Sequence, residues 1–187
     1  ITSSLPAEGK SFIAAHLAQS FARHPDSRAL LIDADLRAPR LHLALGAPNR
    51  PGLTNYLRSE ADEFSVIQMD AQQGFGFIPA GDPAPDAGDL IVGGRLKKLL
   101  DLLTPVFNWV ILDSPPTLAV HDASLLADLC DGVVLVVKAG ETSYEDAIKA
   151  SSGLRKENLL GVVLNQTEKQ DFYGSYYYSR KPGDDLK

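Results

Sequence analysis

Ser4-Leu5-Pro6-Ala7-Glu8-Gly9-Lys10-Ser11 lies between a short segment, Ile1-Thr2-Ser3, that reads as the tail of a β-strand, and a helical run with apolar positions at Phe12, Ala15, Leu17, Ala18 and Phe21. The octet matches G-x-x-x-x-G-K-[ST] except at its first position, where Ser4 replaces glycine. A loop of this kind turns backbone N–H groups toward phosphate oxygens, with the positive end of the following helix behind them. In that setting Lys10 neutralises the β/γ oxygens and the Ser11 hydroxyl ligates Mg²⁺. As a loop residue, Lys10 is expected to project into solvent. An ordinary Gly/Ser/Pro turn capping a helix would use the same residue types, so the reading leans on the rest of the chain.

Two further strands supply acids. Ala29-Leu30-Leu31-Ile32 is a short apolar run of the kind found in buried parallel strands, and it ends in Asp33-Ala34-Asp35-Leu36-Arg37. Trp109-Val110-Ile111-Leu112 closes in Asp113-Ser114-Pro115-Pro116. Ligands bind at the C-terminal edge of an open α/β sheet, so three acids from two strands facing a phosphate loop are expected to form a Mg²⁺ site. A single aspartate after a strand is more readily a cap for the next turn. Three of them, with Lys10 and Ser11, favour the metal.

The remaining pattern alternates. A helix over about 10–23 is followed by a strand over 29–33, an irregular stretch over 36–55 and a short helix within 55–65. A strand over 75–79 then leads to a helix over about 89–103 and the strand ending at Asp113. Helices over about 121–130 and 143–156 flank a strand over 132–137, and a last strand over 160–164 ends at Asn165. Strands alternating with helices predict an α/β fold with a doubly wound, mostly parallel sheet. The chain has 187 residues and 44% hydrophobic content, which suits one core. Residues 1–166 are expected to form that domain. A P-loop fold needs a full strand before the loop, typically ~5 residues; only Ile1-Thr2-Ser3 stand there, without an initiator Met, so a truncated N-terminal strand is expected.

Other readings are exclusions. Net charge is −6, which disfavours a general nucleic-acid footprint. No apolar run approaches the ~18 residues that cross a bilayer, and no signal peptide is recognisable. Cys130 is the lone cysteine, so an internal disulfide is impossible and a buried, inert thiol in a reducing compartment is expected. His16, His24, His42 and His121 show no ligand spacing.

Residues 167–187 break the pattern and read as a flexible tail. Tyr173, Tyr176, Tyr177 and Tyr178 are four of the six tyrosines, interleaved with Gly, Ser and Pro and without amphipathic periodicity. Two readings of this cluster stand on the residues alone: a sticky edge that packs on the domain or a neighbour, or phosphoryl acceptors for the nucleotide site.

Taken together, these segments resemble the cytoplasmic catalytic domain of the bacterial tyrosine kinases of capsular and exopolysaccharide synthesis, a branch of the deviant Walker-type P-loop ATPases akin to MinD and ParA. The resemblance rests on the octet with Thr2-Ser3 before it, on Leu30 to Pro39, Gly52-Leu53-Thr54, Pro79-Ala80-Gly81, Asp113 to Pro116, Asp131 to Val137, Gly161 to Asn165, and the tyrosine tail. It implies an ATP- and Mg²⁺-dependent tyrosine autokinase regulating polysaccharide synthesis or export. By the same resemblance, Pro6, Ala7, Glu8, Gly9, Lys10, Ser11 and Phe12 contact nucleotide, and Asn165 matches the adenine-contacting position. Ser11, Asp35 and Asp113 hold Mg²⁺; Lys10, Asp33, Asp35 and Asp113 form the catalytic group, with Asp33 orienting or accepting the tyrosine proton. Tyr173, Tyr176, Tyr177 and Tyr178 are the implied phosphorylation sites. The family also implies a ring-like homo-oligomer in which one subunit's tail enters the next subunit's site. It implies a cytoplasmic location at the inner face of the membrane, through a membrane-anchored activator or a fused membrane segment. Two departures stand out: Ala7 occupies a position where glycine is frequent, and the family's Glu-x-x-Arg-x-x-Arg assembly motif is not in this sequence. The alternative, a MinD- or ParA-like positioning ATPase, calls for a lysine five residues before Lys10, where this chain has Leu5.

Overall fold

The computed structural model describes residues 1–70 and 74–167. The tail assigned to 167–187, with all four candidate acceptor tyrosines, lies outside the described residues from 168 onward. At the centre of the sheet is β2 (Ala29–Asp33), buried at every residue. It pairs in parallel with β4 (Phe75–Ile78) on one side and β5 (Trp109–Asp113) on the other, Asp33 standing level with Asp113. Side chains alternate across a strand, so this apolar run feeds two cores. Leu30 and Ile32 join Ile78 and Leu112 in one, while Leu31 joins Phe77 and Ile111 in the other.

The second core is closed by α1 (Lys10–Ala22), whose Ala14, Ala15 and Ala18 bring the helix close to the sheet. A short α2 (Leu41–Leu45) adds Leu41 to it. The first core is covered by α3 (Leu53–Leu57), α4 (Ala87–Val92), α5 (Arg95–Leu103) and α6 (Asp122–Ala127), which contribute Leu53, Ile91, Leu99 and Leu126. A second run of strands has β6 (Val133–Lys138) between β1 (Thr2–Ser3) and β7 (Leu159–Asn165), all parallel. The helix α7 (Tyr144–Ser152) crosses between β6 and β7, its Ala150 packed on Leu135 and Val137. Backbone N–H groups of Ser114 and Thr117 donate to the carbonyls of Ile1 and Ser3 (3.0 and 2.8 Å), tying the end of β5 to β1.

Several boundaries differ from the sequence expectation. The stretch 36–55 is not wholly irregular: α2 forms there and stops at Gly46, and α3 begins at Leu53, where the Asn55 side chain accepts a hydrogen bond from Gly52 N–H. The helix expected over 89–103 is two helices. Gly94 adopts φ 80°, a left-handed conformation that interrupts the α-helix and costs glycine little. The helices expected to reach Cys130 and Lys156 end at Ala127 and Ser152, and a 3₁₀ turn covers Lys156–Asn158. An additional strand, β3 (Gln68–Asp70), pairs antiparallel with β4 at the sheet's edge; its half-polar, largely exposed residues give no buried-strand pattern. Among the described residues no helix is long and apolar enough to cross a membrane.

Candidate active site

The octet leaves β1 and enters α1 at Lys10, so the loop of residues 4–9 caps the helix at the C-terminal edge of the parallel strands. Two residues of the loop lie in the left-handed region, Ala7 at φ 65° and Gly9 at φ 92°. For Gly9 this conformation is cheap. For Ala7 it costs about 1–2 kcal/mol, and the surroundings hold the loop in place. The Asn165 amide donates to the Glu8 carbonyl (2.8 Å) and the Gln166 amide donates to the Ala7 carbonyl (3.3 Å). A Cβ on Gly9 would stand 2.1 Å from Asn165 Nδ2, so the approach of Asn165 also requires glycine there.

Lys10 does not project into solvent. Its side chain is 14% exposed, with Nζ 3.3 Å from Asp35 Oδ2 and 3.9 Å from Asp113 Oδ1, and it also donates to Ser11 Oγ at 3.3 Å. The reason is tertiary: β2 and β5 are neighbours, so the residues leaving them flank the start of α1. Asp113 is buried, and burial pushes its carboxyl above the ordinary carboxylate range, against the opposing pull of Lys10 and of a hydrogen bond from Ser11. Its Oδ1 is buried without a hydrogen-bond partner.

Asp33 occupies a different environment from Asp35, two residues away. It is 1% exposed, with Oδ1 accepting from Asp35 N–H and Oδ2 from Leu41 N–H, both at 3.2 Å. Burial, then the neighbouring Asp113, raises its pKa to about 7. The sequence expectation of three acids forming one metal site is therefore revised. Among the described residues, no three His, Cys, Asp or Glu side chains converge to hold a metal by themselves. The donor set that remains is the Ser11 hydroxyl with the Asp35 and Asp113 carboxylates, one oxygen of which is an orphan. Such hard oxygen donors suit Mg²⁺, which usually takes one or two carboxylates and completes its shell with water and phosphate.

Sequence reading missed two braces around this centre. Arg37 forks onto Asp122 of α6, with Nε donating to Oδ2 at 2.6 Å and Nη2 to Oδ1 at 3.1 Å, and Nη1 donates to the Pro85 carbonyl at 2.8 Å. That fork fixes the segment carrying Asp35. On the other flank, the buried Glu8 carboxylate accepts from Leu5 N–H (2.8 Å) and from the Thr142 hydroxyl. Arg37 was visible only as part of Asp-x-Asp-x-Arg, and nothing local marks Asp122 or Thr142. Phe12 is exposed, its ring against His16 with centroids 4.0 Å apart. Cys130 is half-buried just beyond α6, where its thiol donates to the Leu126 carbonyl and burial raises its pKa.

No protein-family model matches the chain. Individual proteins do. The tyrosine-protein kinase YwqD of Bacillus subtilis (strain 168) is 38% identical over 180 residues, 94% of this chain and 76% of that protein. The tyrosine-protein kinase CpsD of Streptococcus agalactiae is 33% identical, again over 180 residues, 94% of this chain and 78% of that protein. The solved kinase domain of the Escherichia coli tyrosine kinase Etk superposes with a TM-score of 0.85 at 30% identity, covering 92% of this chain and 68% of that one. MinD of Pyrococcus horikoshii, solved with Mg-ADP, superposes with a TM-score of 0.71 at 19% identity over 91% of this chain and 70% of that one, a likeness of fold alone.

Proposed function

Because the chain belongs to the bacterial tyrosine-protein kinases, we propose that it transfers the γ-phosphoryl group of ATP to tyrosines of its own C-terminal cluster, Tyr173, Tyr176, Tyr177 and Tyr178, with one subunit's tail entering another's site. The observation that carries the reading is the Lys10 ammonium set between Asp35 and Asp113 where the phosphate loop enters α1. Loop N–H groups from Pro6 to Phe12 hold the triphosphate, with no contribution from the Pro6 nitrogen. Lys10 exchanges its carboxylate partners for β/γ oxygens. Ser11, Asp35 and Asp113 hold Mg²⁺, which when bound supplies positive charge against the developing charge on the phosphoryl group. Asn165, already bonded to the loop at Glu8, lies beside the nucleotide.

Asp33 is the proposed acceptor for the phenol hydrogen. A phenol of pKa about 10 is not ionised at neutral pH, and a carboxyl with pKa near 7 can take its hydrogen bond and receive the proton as the oxygen–phosphorus bond forms. Asp33 is covered in this arrangement, so the acceptor's arrival must displace part of the 34–41 segment. Each phosphate added to the tail brings about −1.5 to −2 charges to a chain of net charge −6, which repels the modified tail from a carboxylate-lined site and releases it. The proposal extends to a ring-like homo-oligomer and to a membrane-anchored activator or fused membrane segment that holds the kinase at the inner membrane face, where it regulates polysaccharide synthesis or export.

The test is phosphotyrosine mapping after incubation with labelled ATP. Changing the four tail tyrosines to Phe removes the hydroxyls and keeps the aromatic bulk, so nearly all label is lost while ATP binding persists. Lys10→Met protein with an intact tail, mixed with active protein lacking the tail, becomes labelled if transfer runs between subunits. Label mainly on Tyr56 or Tyr144, or none on the Lys10→Met chain, would overturn the tail-to-neighbour route.

A further inference from the structure

We infer that Thr142, in the loop between β6 and α7, is a positioning residue for nucleotide, acting through Glu8 to hold the phosphate loop in its binding shape. Glu8 is 3% exposed, and buried polar oxygens so placed need hydrogen-bond partners. Oε2 receives Leu5 N–H at 2.8 Å, and Oε1 receives the Thr142 hydroxyl. Thr142 is itself fixed: its Oγ1 accepts from Lys138 N–H at 2.8 Å and its N–H donates to the Lys138 carbonyl at 3.0 Å. The hydroxyl hydrogen is thereby left for Glu8. The loop it pins contains Ala7 at φ 65° and Gly9 at φ 92°, a conformation that the chain would relax if the pin were removed.

The Asn165 and Gln166 amides hold the carbonyls of Glu8 and Ala7, so the loop after β6 and the end of β7 together grip the phosphate loop. Thr142 touches none of Lys10, Asp35 or Asp113 in the contacts described, so its effect reaches the nucleotide through loop geometry. A preorganised loop binds phosphate without first paying for its own ordering, and losing the hydroxyl shifts that cost onto the binding step.

The inference rests on the nucleotide-binding half of the proposed function only. Calorimetric titration with ADP in the presence of Mg²⁺ reads it directly, whether or not phosphotyrosine forms. Thr142→Val, nearly the same size, raises the ADP Kd about tenfold, on the scale of one hydrogen bond to a charged group, and Thr142→Ser restores it. Glu8→Gln gives an independent arm: it weakens ADP binding on its own, and combined with Thr142→Val it costs less than the sum of the two, the signature of a shared contact. Unchanged binding by Thr142→Val, equal weakening by the serine variant, or additivity in the double variant would overturn the assignment. Should Thr142→Val fail to fold, the serine and glutamine arms decide it: wild-type ADP binding by Thr142→Ser with weakened binding by Glu8→Gln supports the pin, and wild-type binding by Glu8→Gln overturns it. Failure of the wild type to bind ADP would overturn this inference and the nucleotide-site reading together.

Discussion

Replacing Asp33 by asparagine should change how the stability of this protein depends on pH, and in a stated direction. The Asp33 carboxyl has an ordinary value of 3.8 and is raised to about 7 in the fold, by burial and by Asp113. Above about pH 4 the unfolded chain has released this proton while the folded chain keeps it until about pH 7. The unfolded state then binds fewer protons, so stability falls as pH rises through that window and levels off above it. A separation of about 3 pKa units at 1.36 kcal/mol each corresponds to about 4 kcal/mol lost between pH 4 and 7. The side-chain amide of Asp33→Asn cannot ionise, so the variant escapes that loss, at a cost of about 1–2 kcal/mol for facing two backbone donors with a single carbonyl oxygen. At pH 5, about 1.2 pH units above the ordinary value, the wild type has lost only about 1.6 kcal/mol and the two proteins are about equally stable, whereas at pH 8 the variant is more stable by about 2–3 kcal/mol. Urea unfolding followed by Trp109 fluorescence, in EDTA and without nucleotide, measures both curves. Asp113, also raised by burial, leaves a residual slope of the same sign in the variant. Parallel curves for the two proteins from pH 5 to pH 8 would refute the reasoning.

Lys10→Met removes the ammonium and keeps much of the side-chain length, and phosphotyrosine should fall at least about a hundredfold with circular dichroism unchanged; wild-type labelling would remove the proposed site. Asp35→Ala and Asp113→Ala should each weaken Mg-ATP binding about tenfold or more relative to Mg-free ATP, and equal losses for both forms in titration would contradict the metal role. Arg37→Ala strips the forked partner from a buried Asp122 and should cost about 2 kcal/mol in urea unfolding. Arg37→Lys should recover only part of that, because one ammonium cannot reproduce the fork; full recovery would mean that charge alone suffices.

Much of this site was legible in the sequence because its signals are local. The Ser4–Ser11 octet, the apolar run ending at Asp33 and the run ending at Asp113 each declare a backbone conformation within a few residues, and β2 and β5 lie at 29–33 and 109–113, where those runs placed them. Parallel strands leave their following loops at one edge, so placing the three segments at one site needed only the alternation of strands and helices. The tertiary structure decided which groups meet. Lys10 is drawn between Asp35 and Asp113 because β2 and β5 are adjacent. Arg37 finds Asp122, and Glu8 finds Thr142, across 85 and 134 residues of chain, and no pattern in one sequence encodes such a pair. The same holds for the unequal fates of Asp33 and Asp35: two residues apart and chemically identical, one is sealed under the segment leading into α2 while the other faces the lysine, and it is burial, not residue type, that raises the pKa of Asp33.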